Sequence, residues 1–287
     1  MKMLKFAILG YPIGHSVSPQ IHKAGFASLG IDADDEILET APGNLIERID
    51  FLKKEGYAGV NVTIPLKVKI AMFVGEVDKN ADLAGAINTI KINADKSLSG
   101  FNTDITGFKS ALTCPLQGKE VTILGTGGAA RAVTVACTEL GVKKVNFYTR
   151  NIPNALEFVK FFRELAPQIE FTLNQIETLK ELPTTDMLVN TTPIGMKGHS
   201  ADSTPVNKKV LTTLPKHAIV YDIVYNPTET ILLEAAHHLG LQTISGLDML
   251  VAQAVAAQKI WFGATPDFEK MKLAGERALA SYHIDYM

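Results

Sequence analysis

The chain has 287 residues but only two cysteines, Cys114 and Cys137, which make neither a ligand spacing nor a disulfide framework. Basic residues are not in excess: 28 Lys and Arg stand against 30 Asp and Glu, with no basic block. Nucleic acid and membrane surfaces demand a strongly basic face, so neither is expected as a partner. No apolar stretch runs long enough without a charge or a glycine to cross a bilayer. The opening MKMLKFAILGYPIGH meets Gly10, Pro12 and Gly14 before it could form a signal peptide's core and cleavage site, so it reads as a first strand. The seven histidines do not cluster with acids or cysteines at metal-ligand spacing, and His237-His238 would point apart on a helix. These absences predict a cytoplasmic protein without a metal, acting on a small molecule. Asn61-Val62-Thr63 matches a glycosylation acceptor, which that compartment would leave unused.

What is present is an alternation of short apolar strands with amphipathic helices, the pattern of an α/β protein with largely parallel sheets. The length favours two domains. In the first part the pattern predicts strands near 4–9, 34–39, 58–64 and 86–92 and helices near 19–29, 43–55 and 65–73. Ser18-Pro19 suits a helix start, with serine as cap and proline in the first turn. A Pro/Gly-bearing connector, Thr113 to Gly118, marks a candidate boundary. Strands near 120–125, 144–149, 169–173, 186–190, 218–223 and 241–244 then suit one doubly wound sheet. From Gly246 onward two helical stretches carry no strand, so they cannot extend that sheet and are free to return to the first domain.

The chemistry-bearing stretches begin with Gly125-Thr126-Gly127-Gly128-Ala129-Ala130, which follows a strand and opens a helix inside a βαβ unit. Glycines there allow a tight turn and let a pyrophosphate reach free amides at a helix start. The next strand ends in Thr149-Arg150-Asn151, where an NAD site usually places an acid for the ribose hydroxyls. Arg150 could pair with a 2′-phosphate, so NADP is favoured. A solvated loop arginine is the plain alternative. Ser16 and Ser18, near a histidine in a loop feeding a helix, could hold a small carboxylate; a helix cap is the plain alternative for Ser18. Lys67 stands just past Asn61-Val62-Thr63-Ile64-Pro65, where a surface lysine is the plain reading. Asp104, expected in a loop between Gly100 and Gly107, could be a helix cap, and Asn88-Thr89 adds an amide and a hydroxyl at a strand start. No spacing rule alone joins these groups.

Taken in order, PIGHSVSPQIH, NVTIPLK, GAINT, GFNTDITG, GTGGAARA, VNTTPIGM, YDIVYNPTET and GLDMLVAQA resemble the shikimate dehydrogenase family over nearly the whole chain. The resemblance implies a substrate domain, 1–109 plus 247–287, a Rossmann NADP-binding domain, 110–246, and a cleft between them. It implies reversible reduction of 3-dehydroshikimate to shikimate with NADPH. Ser16 and Ser18 would hold the carboxylate, while Asn61, Thr63, Asn88, Tyr225 and Gln253 would hold hydroxyls or orient the ring. Lys67 and Asp104 match the catalytic pair. Ile223 and Gly246 would lie near the nicotinamide.

Two positions depart from the family's pattern. Thr149 stands before Arg150 where asparagine is usual, and Asn154 stands where a second arginine is usual, so some NAD use is allowed. Lys23 replaces an asparagine after His22. The rivals are a relative oxidising quinate with NAD or NADP and a non-enzymatic ligand sensor on the same scaffold. The paired serines lean to shikimate, and the lysine–aspartate pair argues for an enzyme. The chain is expected as a monomer or homodimer.

Overall fold

The computed structural model describes residues 3–284; the expected domain limits at 1–2 and 285–287 lie outside them. The chain divides into two compact units, Met1–Ser110 with Leu250–Met287, and Ala111–Met249.

The first unit starts with β1 (Leu4–Gly10), α1 (Ser18–Ser28), β2 (Ala33–Glu39) and α2 (Leu45–Glu55). Then come β3 (Gly59–Val62), β4 (Glu76–Val77), α3 (Lys79–Ala84), β5 (Thr89–Ile92), β6 (Leu98–Phe101) and α4 (Asp104–Ser110). The sheet order is β2-β1-β3-β5-β6-β4. It is mixed, because β5 runs antiparallel to both β3 and β6. The helix expected over 65–73 is instead a turn followed by a single-turn 3₁₀ stretch, Lys69–Phe73. Pro65 supplies no amide, and β-branched Ile64 and Val68 flank it, so a regular helix has little support there. The strand expected from 86 begins at Thr89, and β4, β6, α3 and α4 went unforeseen because each is short and two carry a glycine.

Core apolar side chains from β1, α2, β3 and β5, including Leu9, Leu52, Val60 and Ile90, pack on one face of this sheet. On Phe6 of β1 converge Phe26 of α1 and Trp261, with ring centroids 5.1 and 4.5 Å away.

The second unit comprises β7 (Glu120–Leu124), α5 (Gly128–Glu139), β8 (Lys144–Thr149), α6 (Ile152–Leu165), β9 (Glu170–Gln175), β10 (Met187–Asn190), α7 (Lys208–Leu211), β11 (Ile219–Asp222), α8 (Ile231–His238) and β12 (Gln242–Ile244). All its strand pairs are parallel, in the order β12-β11-β10-β7-β8-β9. That is the doubly wound sheet the sequence predicts, with β7 and β10 flanking the point where strand order reverses. Buried Val121, Ile123, Val145 and Val189 explain why these strands read as near-continuous apolar runs. Two helices close the chain: α9 (Gly246–Phe262), within which the second division falls, and α10 (Phe268–Ile284), which packs against α1.

Candidate active site

The first unit's polar residues meet because of strand direction. In the parallel pair β1 and β3, Ile8 lies opposite Asn61, so both strands deliver their following loops to one edge. Antiparallel β5 starts at that edge, with Thr89 opposite Asn61, and β6 ends there, with Phe101 opposite Thr89. The loop after β1 therefore brings Ser16 and Ser18 to this edge, that after β3 brings Thr63 and Lys67, the residue before β5 is Asn88, and Asp104 follows β6. The Lys67 carbonyl accepts from Ile87 N at 2.8 Å, which pins its turn beside Asn88.

Lys67 Nζ donates to Asp104 Oδ2 at 2.5 Å, with the two side chains only 15% and 6% exposed. The other carboxylate oxygen, Oδ1, accepts from Asn88 Nδ2 at 2.8 Å. Asn88 Oδ1 in turn accepts from Thr103 N at 2.7 Å and from Thr89 Oγ1 at 3.1 Å. Asn61 Nδ2 donates to the Asn88 carbonyl at 3.3 Å and to Thr89 Oγ1 at 3.1 Å. Gln253 presents Oε1 to Asn88 Nδ2 and to Thr103 Oγ1, each at 3.4 Å, while its amide nitrogen is held by the Leu250 carbonyl. The result is an ammonium with unspent donors, fixed by a carboxylate whose orientation is itself fixed. Such a group can deliver a proton to an oxygen and steady the negative charge that develops on it.

Asn61 is buried at 5% exposure, so the acceptor pattern it begins lies inside the unit. Asp104 begins α4 and does not sit in a loop; its carboxylate turns to Lys67 and Asn88. Ser18 is the first residue of α1, whose N-cap is Val17 with no side-chain cap bond, so its hydroxyl is not spent on capping. Ser16 and Ser18 are both buried, with Ser18 N donating to Ser16 Oγ at 3.3 Å. Thr63 is half-buried. Lys23 forms an exposed ion pair with Asp34 at 2.7 Å, a surface use for the residue that departs from the family's pattern. Thr103 belongs to the network although no sequence signal marked it.

In the second unit, parallel register aligns the carboxyl ends: Leu124 lies opposite both Tyr148 and Asn190, and Asn190 opposite Asp222. Gly125 takes φ +97°, a conformation that leads β7 sharply toward α5. Gly127 is the helix N-cap with no side-chain cap bond, and a Cβ there would meet nothing within 4 Å. No side chain caps the first-turn amides of α5, and Gly127 leaves open space beside them, as a pyrophosphate requires. At the end of β8, Thr149 is buried and Arg150 exposed. Thr126 Oγ1 lies 3.4 Å from Thr149 Oγ1, and Asn151 caps α6 by accepting from Asn154 N at 3.2 Å. This cradle, with an exposed arginine and no acid at the strand end, fits NADP.

Two further features shape the loops of this edge. Asp222, fully buried, accepts from Asn190 Nδ2 at 2.9 Å, Val224 N at 3.0 Å and Thr230 Oγ1 at 2.7 Å. Burial lifts its carboxyl to about 6 against the pull of these hydrogen bonds. Asp222 so ties the loop carrying Ile223 and Tyr225, both half-buried, to β10 and α8. A Cβ on Gly246 would stand 2.1 Å from the Ile223 carbonyl oxygen. The space left by that missing side chain is already filled by backbone, so the glycine serves a contact within the unit.

Residues 8–90 match the model of the shikimate dehydrogenase substrate binding domain, and residues 246–272 that of the shikimate 5′-dehydrogenase C-terminal domain. Shikimate dehydrogenase (NADP(+)) of Halothermothrix orenii is 36% identical over 267 residues, 91% of each chain. The Bacillus cereus protein of the same name is 37% identical over 276 residues, 95% of this chain and 97% of its own. The crystal structure of Thermus thermophilus shikimate 5-dehydrogenase, in complex with NADP(H) and shikimate, superposes with a TM-score of 0.83 at 33% identity, covering 96% of this chain and all of that one. With such identity over nearly its full length, the chain belongs to the shikimate dehydrogenase family.

Proposed function

We propose that this protein is an NADP-dependent shikimate dehydrogenase that reversibly reduces 3-dehydroshikimate to shikimate. The observation that carries the reading is the buried Lys67–Asp104 pair braced by Asn88, next to an array of amides and hydroxyls suited to a polyhydroxylated ring. NADPH, when bound, supplies the hydride. Gly125 to Ala130 would receive its pyrophosphate, Arg150 its 2′-phosphate, with Thr149 and Asn151 beside the ribose. Ile223 and Gly246 would lie near the nicotinamide.

The first unit's residues do the rest. Ser16 and Ser18 hold the substrate carboxylate, and Thr63, Asn88 and Gln253 take ring hydroxyls or orient the ring, a role that Tyr225 of the second unit would share. Asn61 has committed its amide nitrogen to Asn88 and Thr89, so it serves the ring as an acceptor or as a brace. A buried hydroxyl left unpaired costs about 1 to 3 kcal/mol, which makes this lining selective. As charge grows on the ketone oxygen, Lys67 transfers a proton to it and Asp104 keeps the ammonium in place; oxidation runs the same transfer backwards.

The test is a steady-state assay of the purified protein with shikimate and quinate, each with NADP and with NAD. Shikimate turnover preferring NADP is expected. Preference for quinate would reassign the substrate, and no turnover with either would favour a ligand sensor.

A further inference from the structure

His22 is fully buried on α1, its ring set against Trp261 and Phe26 with centroids 5.3 and 6.0 Å away. The reaction as described makes no use of it. One polar neighbour is Gln258 of α9, itself completely buried. Gln258 Nε2 donates to the His22 carbonyl at 2.9 Å and lies 3.2 Å from ring Nδ1. An amide nitrogen only donates, so Nδ1 must be the acceptor and the ring proton must sit on Nε2. Burial lowers the imidazole to about 3, so the ring stays neutral at working pH. Space for Gln258 comes from Gly25, where a Cβ would stand 2.4 Å from Gln258 Nε2.

His22 Nε2 and Asn61 Oδ1 are both buried, and neither has a hydrogen-bond partner. The Asn61 side chain neighbours the imidazole and favours its protonated form against the pull of burial, as a facing oxygen would. Asn61 Nδ2 is already engaged by the Asn88 carbonyl and Thr89 Oγ1, so only its oxygen can meet the ring.

We propose that His22 is a positioning residue: fixed by Gln258 as the Nε2–H tautomer, it donates to Asn61 Oδ1 and sets the amide orientation that braces Asn88 against Asp104. The chain of contacts runs from α9 through α1 to β3 and the start of β5, within one unit. It rests on the catalytic reading of Lys67 and Asp104. Without the imidazole donor, Asn61 can rotate its amide, the start of β5 loses its tether, and the Asn88–Asp104 bond loosens.

The experiment compares His22→Leu, which removes the donor, with His22→Gln, whose amide nitrogen can reach the Nε2 position. In folded His22→Leu, kcat for shikimate should fall about ten- to a hundred-fold, the loss of one buried hydrogen bond, with the NADP KM unchanged. His22→Gln should recover most of that loss. In an Asn61→Ala background, His22→Leu should cost little more. Nitrogen NMR of the wild type should show Nδ1 unprotonated and Nε2 protonated from pH 5 to 8. An Nδ1–H tautomer would overturn the proposal. So would wild-type kcat in folded His22→Leu, or equal losses in both variants that follow their melting temperatures, which would mark His22 as packing alone. A wild type inactive on shikimate would instead overturn the functional reading, while the tautomer measurement would still judge the Asn61 contact.

Discussion

Lys67 Nζ and Asp104 Oδ2 stand 2.5 Å apart across 37 residues of sequence. Neither residue reaches the other by local structure. Lys67 follows β3 and Asp104 follows β6, and antiparallel β5 between them returns the chain so that both loops leave the sheet at one edge. A charge pair so nearly removed from water is costly unless its remaining lone pairs are satisfied. Asn88 meets that requirement at Asp104 Oδ1, which leaves the lysine's other donors for a substrate.

Lys67→Ala should lower turnover by about a hundred- to ten-thousand-fold with a much smaller effect on shikimate binding, since a proton donor acts chiefly in the transition state. Asp104→Ala should also lower turnover, and the double variant should lose far less than the product of the single losses. Turnover at saturating shikimate and NADP, on proteins first checked by thermal melting, measures this. A folded Lys67→Ala protein with wild-type turnover would remove the lysine from the chemistry.

Arg150→Ala should raise the NADP KM about 10- to 150-fold, the equivalent of charge-assisted hydrogen bonds worth roughly 1.5 to 3 kcal/mol, and should leave the NAD KM nearly unchanged. With Asn154 in place of a second cation, Arg150 is expected to carry most of the discrimination. Equal changes for the two cofactors would reduce Arg150 to a solvated loop residue.

Gly246→Ala places a methyl group on the Ile223 backbone, where no side chain can swing aside. The loop must move, so stability should fall by about 1 to 3 kcal/mol and the NADP KM should rise together with it. Chemical denaturation with parallel kinetics decides this. An unaltered midpoint would mean that the backbone yields more easily than its packing indicates.

The second unit was the more legible of the two, because six parallel strands buried on both faces leave apolar runs that punctuate the sequence clearly. The first unit hid β4 and β6, of two and four residues, since such strands are specified by their neighbours and carry little periodicity of their own. The site divided in the same way. Gly125 to Ala130 announced itself through its strand–loop–helix setting, whereas Lys67, Asn88 and Asp104 read as ordinary polar residues until their ordered stretches matched a family. His22 and Thr103 gave no signal of their own: a buried histidine and a loop threonine acquire a role only through partners distant in sequence.

Asp35 of β2 offers a test of the first unit's electrostatics away from the site. It is 1% exposed, and neither carboxylate oxygen has a hydrogen-bond partner. Burial raises its carboxyl to about 8; Lys23 opposes the shift, and Asp34 and Glu36 add to it. A folded-state value above the unfolded one, near 3.8, means that between about pH 4 and 8 the folded chain holds a proton that the unfolded chain releases. This group's contribution to stability is therefore complete below about pH 4 and is lost as pH rises through about 8. Asp35→Asn keeps the shape of the neutral acid and cannot ionise. Its melting temperature should gain on that of the wild type steadily from about pH 4 to about 8 and then level off, by the equivalent of about 1 to 3 kcal/mol for a buried group that fails to find partners. Thermal melts of both proteins at pH 5, 7 and 9 measure the divergence. A constant difference across that range would show that Asp35 ionises in the folded state as freely as in the unfolded one, and that water reaches it.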